Sequence, residues 1–335
     1  MSVDLSSKYL GMTLKNPLVA SAGPITEYPE LLQELEAVGI AAVVLPSLWE
    51  EQIEHYDVQL ARLEEYGANS YPEALNFFPP LVDHRGSPDE YLQRIVAAKR
   101  SVQVPVIASL NGRTLGGWVR YARMIQDAGA DALELNIYFL ATDPNQTAAD
   151  VEKQYLDLVQ AVREKVSIPL AVKIGPFFSS LPNFAKRLVE AGADGLVFFN
   201  RFLQPDIDLN TLDVSAHAVL SDSREVRLPL RWIAILRGVL QCSLAATSGV
   251  HTSADVLKLL LAGADAVQLM SVLMQRGVQQ VKELLAGITH WMVQREYESV
   301  EQMKGSLSQI NCPDPAAFER ANYMKALVNY AGIQV

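Results

Sequence analysis

Lys173 ends the otherwise apolar run Leu170-Ala171-Val172-Lys173. A strand that buries the stem of this side chain leaves its ammonium at a rim. There it can stabilise a developing anion or, once desolvated, act as a Schiff-base amine. The plain structural alternative is an ion pair, with Glu134 as the partner. Three asparagines stand at the ends of similar runs: Asn111 after VIASL, Asn136 after ALEL and Asn200 after GLVFF. Amide heads donate and accept without charge, which suits the edges of a flat heterocycle; each also fits a turn or cap. Ser248-Gly249-Val250 and Met270-Ser271 precede helix-like segments. Backbone N–H groups at such turns bind anions, and plain capping by Thr252 or Ser253 is the other reading.

Positioning these groups requires elements that end together. The tetrapeptide AGAD recurs at Ala128–Asp131, Ala191–Asp194 and Ala262–Asp265, each time before a short apolar run. AVGIAAVVLP from Ala37 is a weaker fourth copy. Glycine just past a helix end accepts the left-handed conformation that stops the helix, and a buried strand follows. Proline marks two more strand starts, at VPVIASLNG and IPLAVKIGP. The strands are expected near 18–22, 41–46, 105–110, 132–137, 169–174, 195–199, 243–247 and 266–270. They are continuous apolar runs, as in a parallel sheet covered on both faces. Helical periodicity fills the gaps, for example in DVEKQYLDLVQAVREKV. Eight βα units predict an α/β protein, a (β/α)8 TIM barrel occupying 1–335 as one domain. An open doubly wound sheet is the competitor, and the glycine-rich first turn usual there is missing.

Three segments exceed the barrel's needs. Residues 6–17 read as a hairpin turning at Gly11, while 47–88 and 200–230 are long loops leaving strand ends on the side where barrels carry chemistry. Residues 288–335 read as a helical tail.

Composition bounds the rest. The 335 residues are 50% hydrophobic with a net charge of −10, enough for a large core and unsuited to nucleic acid or an anionic membrane. No apolar run reaches the ~20 residues of a membrane helix, and the start lacks a signal-peptide pattern. Two cysteines, Cys242 and Cys312, give no disulfide framework and suit a cytoplasmic setting. Cys242 precedes the seventh strand, the wrong end for a nucleophile, and reads as core. The five histidines lack metal spacing, and His251, just after the anion turn, either faces the site or, the commoner case, is a solvated loop residue. GxxxxGK[ST], GxGxxG and HExxH are all missing.

Over about residues 4–290 these motifs, in this order, resemble the dihydroorotate dehydrogenase family. KNPLVASAGP resembles its opening strand and flavin-contacting turn, with Ala22 and Gly23. VPVIASLNG, LELN, AVKIGP and FFN resemble the segments that carry Asn111, Asn136, Lys173 and Asn200. SGVHTSADVLKLLLAGADAVQLMSVLM resembles its closing phosphate-binding segment. The resemblance implies an FMN-dependent oxidoreductase of C–C bonds, of the kind found in pyrimidine biosynthesis. FMN would be held by Ala22, Gly23, Ser47, Asn111, Asn136, Lys173, Ser248, Gly249, Val250, Met270 and Ser271. Lys173 would sit by the pyrimidine edge of the flavin, and Asn76, Asn136 and Asn200 would meet a planar carbonyl-containing substrate. By analogy the protein would be a homodimer. A separate electron-transfer protein would take the electrons, since no cysteine set for an iron–sulfur cluster lies in the chain.

The departures from the family pattern are specific. The family places a catalytic Cys or Ser just after the fourth-strand asparagine, in a run like NxSCPN; here the run is Asn136-Ile137-Tyr138-Phe139-Leu140-Ala141. Phe139 takes no proton, and Ala141 replaces a second substrate asparagine. Tyr138 is the substitute base, although a phenol with a pKa near 10 serves poorly at neutral pH. Pro46 stands for a family lysine, and Val250 for the second glycine of the phosphate pair. Two other readings stay open: a Schiff-base lyase or aldolase using Lys173, and a non-catalytic flavin-binding protein of a redox assembly.

Overall fold

The computed structural model describes residues 3–53, 87–112, 118–137, 139–201, 205–215 and 219–319. Eight parallel strands close into a barrel: β3 (Leu18–Ala20), β4 (Ala42–Trp49), β5 (Val106–Gly112), β6 (Ala132–Ile137), β7 (Leu170–Ile174), β8 (Gly195–Phe198), β11 (Ser243–Thr247) and β12 (Ala266–Leu269). β12 pairs with β3 to complete the ring. Outside run α1 (Pro29–Ala37), α2 (Pro88–Ser101), α3 (Trp118–Asp127), α4 (Ala148–Arg163), α5 (Leu181–Glu190), α6 (Arg227–Leu236) and α7 (Ser253–Ala262). The α/β barrel read from the sequence is thus the observed fold, and the open sheet is excluded.

The AGAD repeat has a physical basis. Gly129, Gly192 and Gly263 have φ of 96°, 112° and 121°, the left-handed stop that a side chain resists. Each following aspartate then ties two strands together at their starts. Asp131, Asp194 and Asp265 accept the backbone N–H of Val106, Leu170 and Leu244 at 2.7, 2.8 and 2.8 Å. Each also pairs with a cation in the last turn of, or just past, the helix that leads into the neighbouring strand it clamps: Lys99, Arg163 and Arg237. The weaker copy near Ile40 lacks the aspartate, and there Asn16 accepts the Leu18 N–H at 2.9 Å.

The expected hairpin is β1 (Ser7–Tyr9) with β2 (Met12–Leu14), turning through Leu10 and Gly11 at φ 51° and 74°. It closes the N-terminal end of the barrel. Tyr9, Leu10 and Leu14 are buried against inward-facing Val19, Ala42, Val44, Ile107, Ala132, Ala171, Val197, Ala245 and Ala266. Those strand residues are small because the hairpin fills the space. A Cβ on Gly195 would stand 2.6 Å from Leu10 Cδ2.

Two boundaries differ from expectation. β4 runs on to Trp49, because between Val44 and Ser47 it carries one residue more than β5 does. Such a bulge accommodates proline, which donates no hydrogen bond, and Pro46 lies in it. After β8, an antiparallel ribbon forms from β9 (Asp206–Asp208) and β10 (Asp213–Ser215). Among its described residues the tail is only partly helical. A short helix α8 (Ser271–Arg276) leads to α9 (Gln280–Gln294), which extends past residue 288; α10 (Val300–Met303) is one turn, and 304–314 are turns. Among the described residues no helix is long and apolar enough to cross a membrane.

Candidate active site

Side chains alternate along a strand, so each barrel strand offers a ladder of inward residues. Above the hairpin plug that ladder changes from apolar to polar. Ser109 and Glu134 are fully buried, Gln268 and Ser21 nearly so, and Lys173 is 6% exposed. Lys173 Nζ lies 3.4 Å from Ser21 Oγ, Glu134 Oε1 and Gln268 Oε1 alike. Gln268 Nε2 donates to Glu134 Oε2 at 2.6 Å. Beneath this group the Tyr9 hydroxyl is held protonated, its pKa driven well up by burial first and then by the Glu134 charge.

The next layer lies at the mouth. Register pairs Trp49 with Asn111, Asn111 with Asn136, and Asn136 with Lys173 across four neighbouring strands. Asn111 is buried. Asn136 Oδ1 and, at the exit of β8, Asn200 Nδ2 are buried without a hydrogen-bond partner. Orphaned amide atoms beside a cation, at the open end of a barrel, fit the edge of a polar ring. The bulge at Pro46 turns Ser47 inward, where its Oγ lies 2.8 Å from Ser109 Oγ. The Tyr91 hydroxyl braces Ser109 from α2, donating to its carbonyl and accepting from its N–H.

The anion turn sits beside this row. Ser248 and Gly249 have φ of 73° and 77°, a left-handed backbone that costs strain at the serine. A Cβ on Gly249 would fall 2.3 Å from the Val226 nitrogen. The N–H groups of Gly249 and Val250 donate to no acceptor among the described residues. Thr252 does cap α7, its side chain accepting from Asp255 N, but α8 begins at Ser271 with no side-chain cap. The capping alternative therefore accounts for α7 and leaves the α8 end free, as a phosphate needs. Ser271 Oγ accepts from Ser221 N at 3.2 Å. Gly23 packs against the end of the Met270 side chain, which a Cβ there would push aside. Ala22 is partly buried against the inner cluster.

His251 is the correction: it is buried, 5% exposed, with Nε2 3.2 Å from Ser221 Oγ. The 219–226 segment folds over it, and Ser223 Oγ donates to Asp255. Cys242 packs at the edge of the core as expected, and burial raises its thiol to about 12. Phe139, where a proton carrier was sought, packs on the main apolar core. Asn76 and Tyr138 lie outside the described residues. Sequence reading missed Gln268 and Ser21 as partners of Lys173. The signal was available for Gln268, a polar residue inside the run AVQLM at an inward position. It also missed Trp49, whose inward face depends on the bulge.

A comparison with protein families matches residues 4–292 to the family described as dihydroorotate dehydrogenase. This chain belongs to the dihydroorotate dehydrogenase family. Its relatives include the catalytic subunit of dihydroorotate dehydrogenase B (NAD(+)) of Thermoplasma acidophilum, 26% identical over 90% of this chain and 98% of that protein. The same subunit of Methanocella arvoryzae is 29% identical over 78% of this chain and 84% of that one. The NAD-dependent dihydropyrimidine dehydrogenase subunit PreA of Escherichia coli K12 is 23% identical over 91% and 77%. As a member of this family the chain is an oxidoreductase acting on CH–CH groups. That membership, with a Lys173 ammonium already engaged by three acceptors, leaves the Schiff-base reading without support.

Proposed function

We propose that the chain is an FMN-dependent oxidoreductase that transfers hydride to or from a C–C bond next to a carbonyl. The observation that carries this is Lys173 in register beside Asn136, whose amide oxygen, like the Asn200 amide nitrogen, is buried without a partner, next to an anion turn whose Gly249 and Val250 N–H groups meet no acceptor among the described residues. FMN, when bound, supplies the hydride chemistry. The turn at Ser248, Gly249 and Val250 and the start of α8 at Ser271 would grip its phosphate. Asn111, Asn136 and Lys173 would meet the polar edge of the ring, and Ala22, Gly23, Ser47 and Met270 would line its bed. Lys173 offers a positive charge where reduction adds negative charge. Asn136 and Asn200, with Asn76, would orient a flat substrate.

The substrate is a planar carbonyl compound such as a dihydropyrimidine, and dihydroorotate is turned over slowly or not at all. Phe139 carries no proton, and Tyr138 remains the candidate in its place. One relative is named as a dihydropyrimidine dehydrogenase subunit, which favours a dihydropyrimidine without the carboxylate. Relatives named as catalytic subunits support a separate electron-transfer partner. We also read the chain as one domain, a homodimer and cytoplasmic. Purified protein loaded with FMN should show a flavin spectrum, and dihydrouracil should bleach it under anaerobic conditions faster than dihydroorotate. A colourless protein that takes up no FMN overturns the reading, and dihydroorotate turnover at rates usual for the family overturns the substrate assignment.

A further inference from the structure

Glu134 is wholly buried, yet it touches no group at the mouth. It stands two residues before Asn136 on the inner face of β6, one layer deeper. Its carboxylate meets Gln268 Nε2 at 2.6 Å and Lys173 Nζ at 3.4 Å. Three equal contacts of 3.4 Å are long for an ammonium, whose charge-assisted bonds usually run about 2.7–2.9 Å. Lys173 is therefore shared among its acceptors and locked on none. Taking two charges out of water costs about as much as their attraction returns, so such a pair is weak evidence for stability. Apolar residues of similar volume would fill the layer as well, so a buried pair joined to the lysine that stands in register with Asn136 points to a role other than stability.

We infer that Glu134 is a positioning residue that acts through Lys173, neutralising the cation that a bound flavin meets and so lowering the flavin's reduction potential. This rests on the FMN reading above. The pair brings no net charge to the ring, whereas an unopposed ammonium would favour the negative charge added by reduction. Facing the pair from the other strands and the hairpin are Ser21, Ser109, Gln268 and Tyr9, all uncharged, so among the groups named no second anion takes over from the carboxylate once it is lost.

The test is a dye-equilibrated redox titration of the FMN-loaded protein, its E134Q, K173Q and E134Q/K173Q variants, and E134D as the conservative control. E134Q should raise the preference for reduced over oxidised FMN at least tenfold, about 30 mV for a two-electron couple. K173Q should lower the potential. The double variant, which leaves no unpaired buried charge, should fold even where E134Q does not, and it should fall nearer the parent than K173Q. E134D should track the parent. An E134Q potential unmoved from the parent, or a double variant as low as K173Q, overturns the proposal. A purely structural Glu134 would change the melting temperature and leave the potential alone. A parent that takes up no FMN sinks the cofactor reading as well, whereas a parent that binds FMN with an unmoved E134Q potential sinks this inference alone.

Discussion

We read Phe139 as the residue at which this chain departs from the family run that carries a catalytic Cys or Ser. Its ring is partly buried on the main apolar core, two residues past the end of the β6 ladder. A hydroxyl or thiol at that point would change the proton chemistry while leaving the Lys173 layer untouched. General acid–base groups contribute about 10²–10⁴-fold to rate. F139S and F139C are therefore expected to raise dihydroorotate turnover by at least tenfold, read as anaerobic flavin bleaching in stopped flow. A decrease or no change would mean that the proton travels by another route. Losing part of an apolar contact should lower stability by about 1–3 kcal/mol, which a urea melt would report.

At the scale of elements, the three AGAD aspartates do one job in three settings. Asp265 is the most buried, with Lys304 at 2.8 Å and Arg237 at 3.2 Å. Lys304 is itself almost wholly buried, with 2% of its side chain exposed. D265A would leave that ammonium with only the exposed Glu301 carboxylate as partner, and the Leu244 N–H without its acceptor. Breaking a buried pair from one side costs about 3–5 kcal/mol. The Asp194 side chain is 48% exposed beside Arg163, so D194A should cost much less, mainly the backbone hydrogen bond to Leu170. Denaturant melts of both variants test the order, and equal losses would mean that the cation pairs at Asp265 contribute nothing. Pro46 belongs to this scale too. By sitting in a bulge it redirects β4 so that Ser47 meets Ser109.

For the whole molecule, the buried acids set an alkaline limit. Burial raises the Tyr155 hydroxyl to about 12 and the Cys242 thiol to about 12, and it drives Tyr9 and Tyr91 upward as well. A raised folded-state pKa favours the folded form fully below the unfolded value and loses that advantage as pH climbs through the folded one. Stability should therefore be flat up to about pH 9 and fall steadily between about pH 9 and 12. Urea midpoints measured across that range, with tyrosinate absorbance followed in parallel, test this. Ionisation of all twelve tyrosines near pH 10 in the folded protein with no loss of stability would contradict it.

The amino-acid order by itself determined the barrel. Apolar strand runs recur eight times around one axis, and helix-stopping glycines with clamping aspartates recur at three of the joints, so the periodic signal accumulates along the chain. It also marked Lys173, the three asparagines and the anion turn, because polar groups at the ends of apolar runs stand out. Only the tertiary structure decided what those groups face. Lys173 meets Ser21, Glu134 and Gln268 across 152, 39 and 95 residues of chain, separations that no local pattern encodes. His251 became buried because a distant segment folded over it, and Ser47 turned inward because one extra residue shifted a register. Inward and outward are properties of the closed ring, fixed only when β12 finds β3.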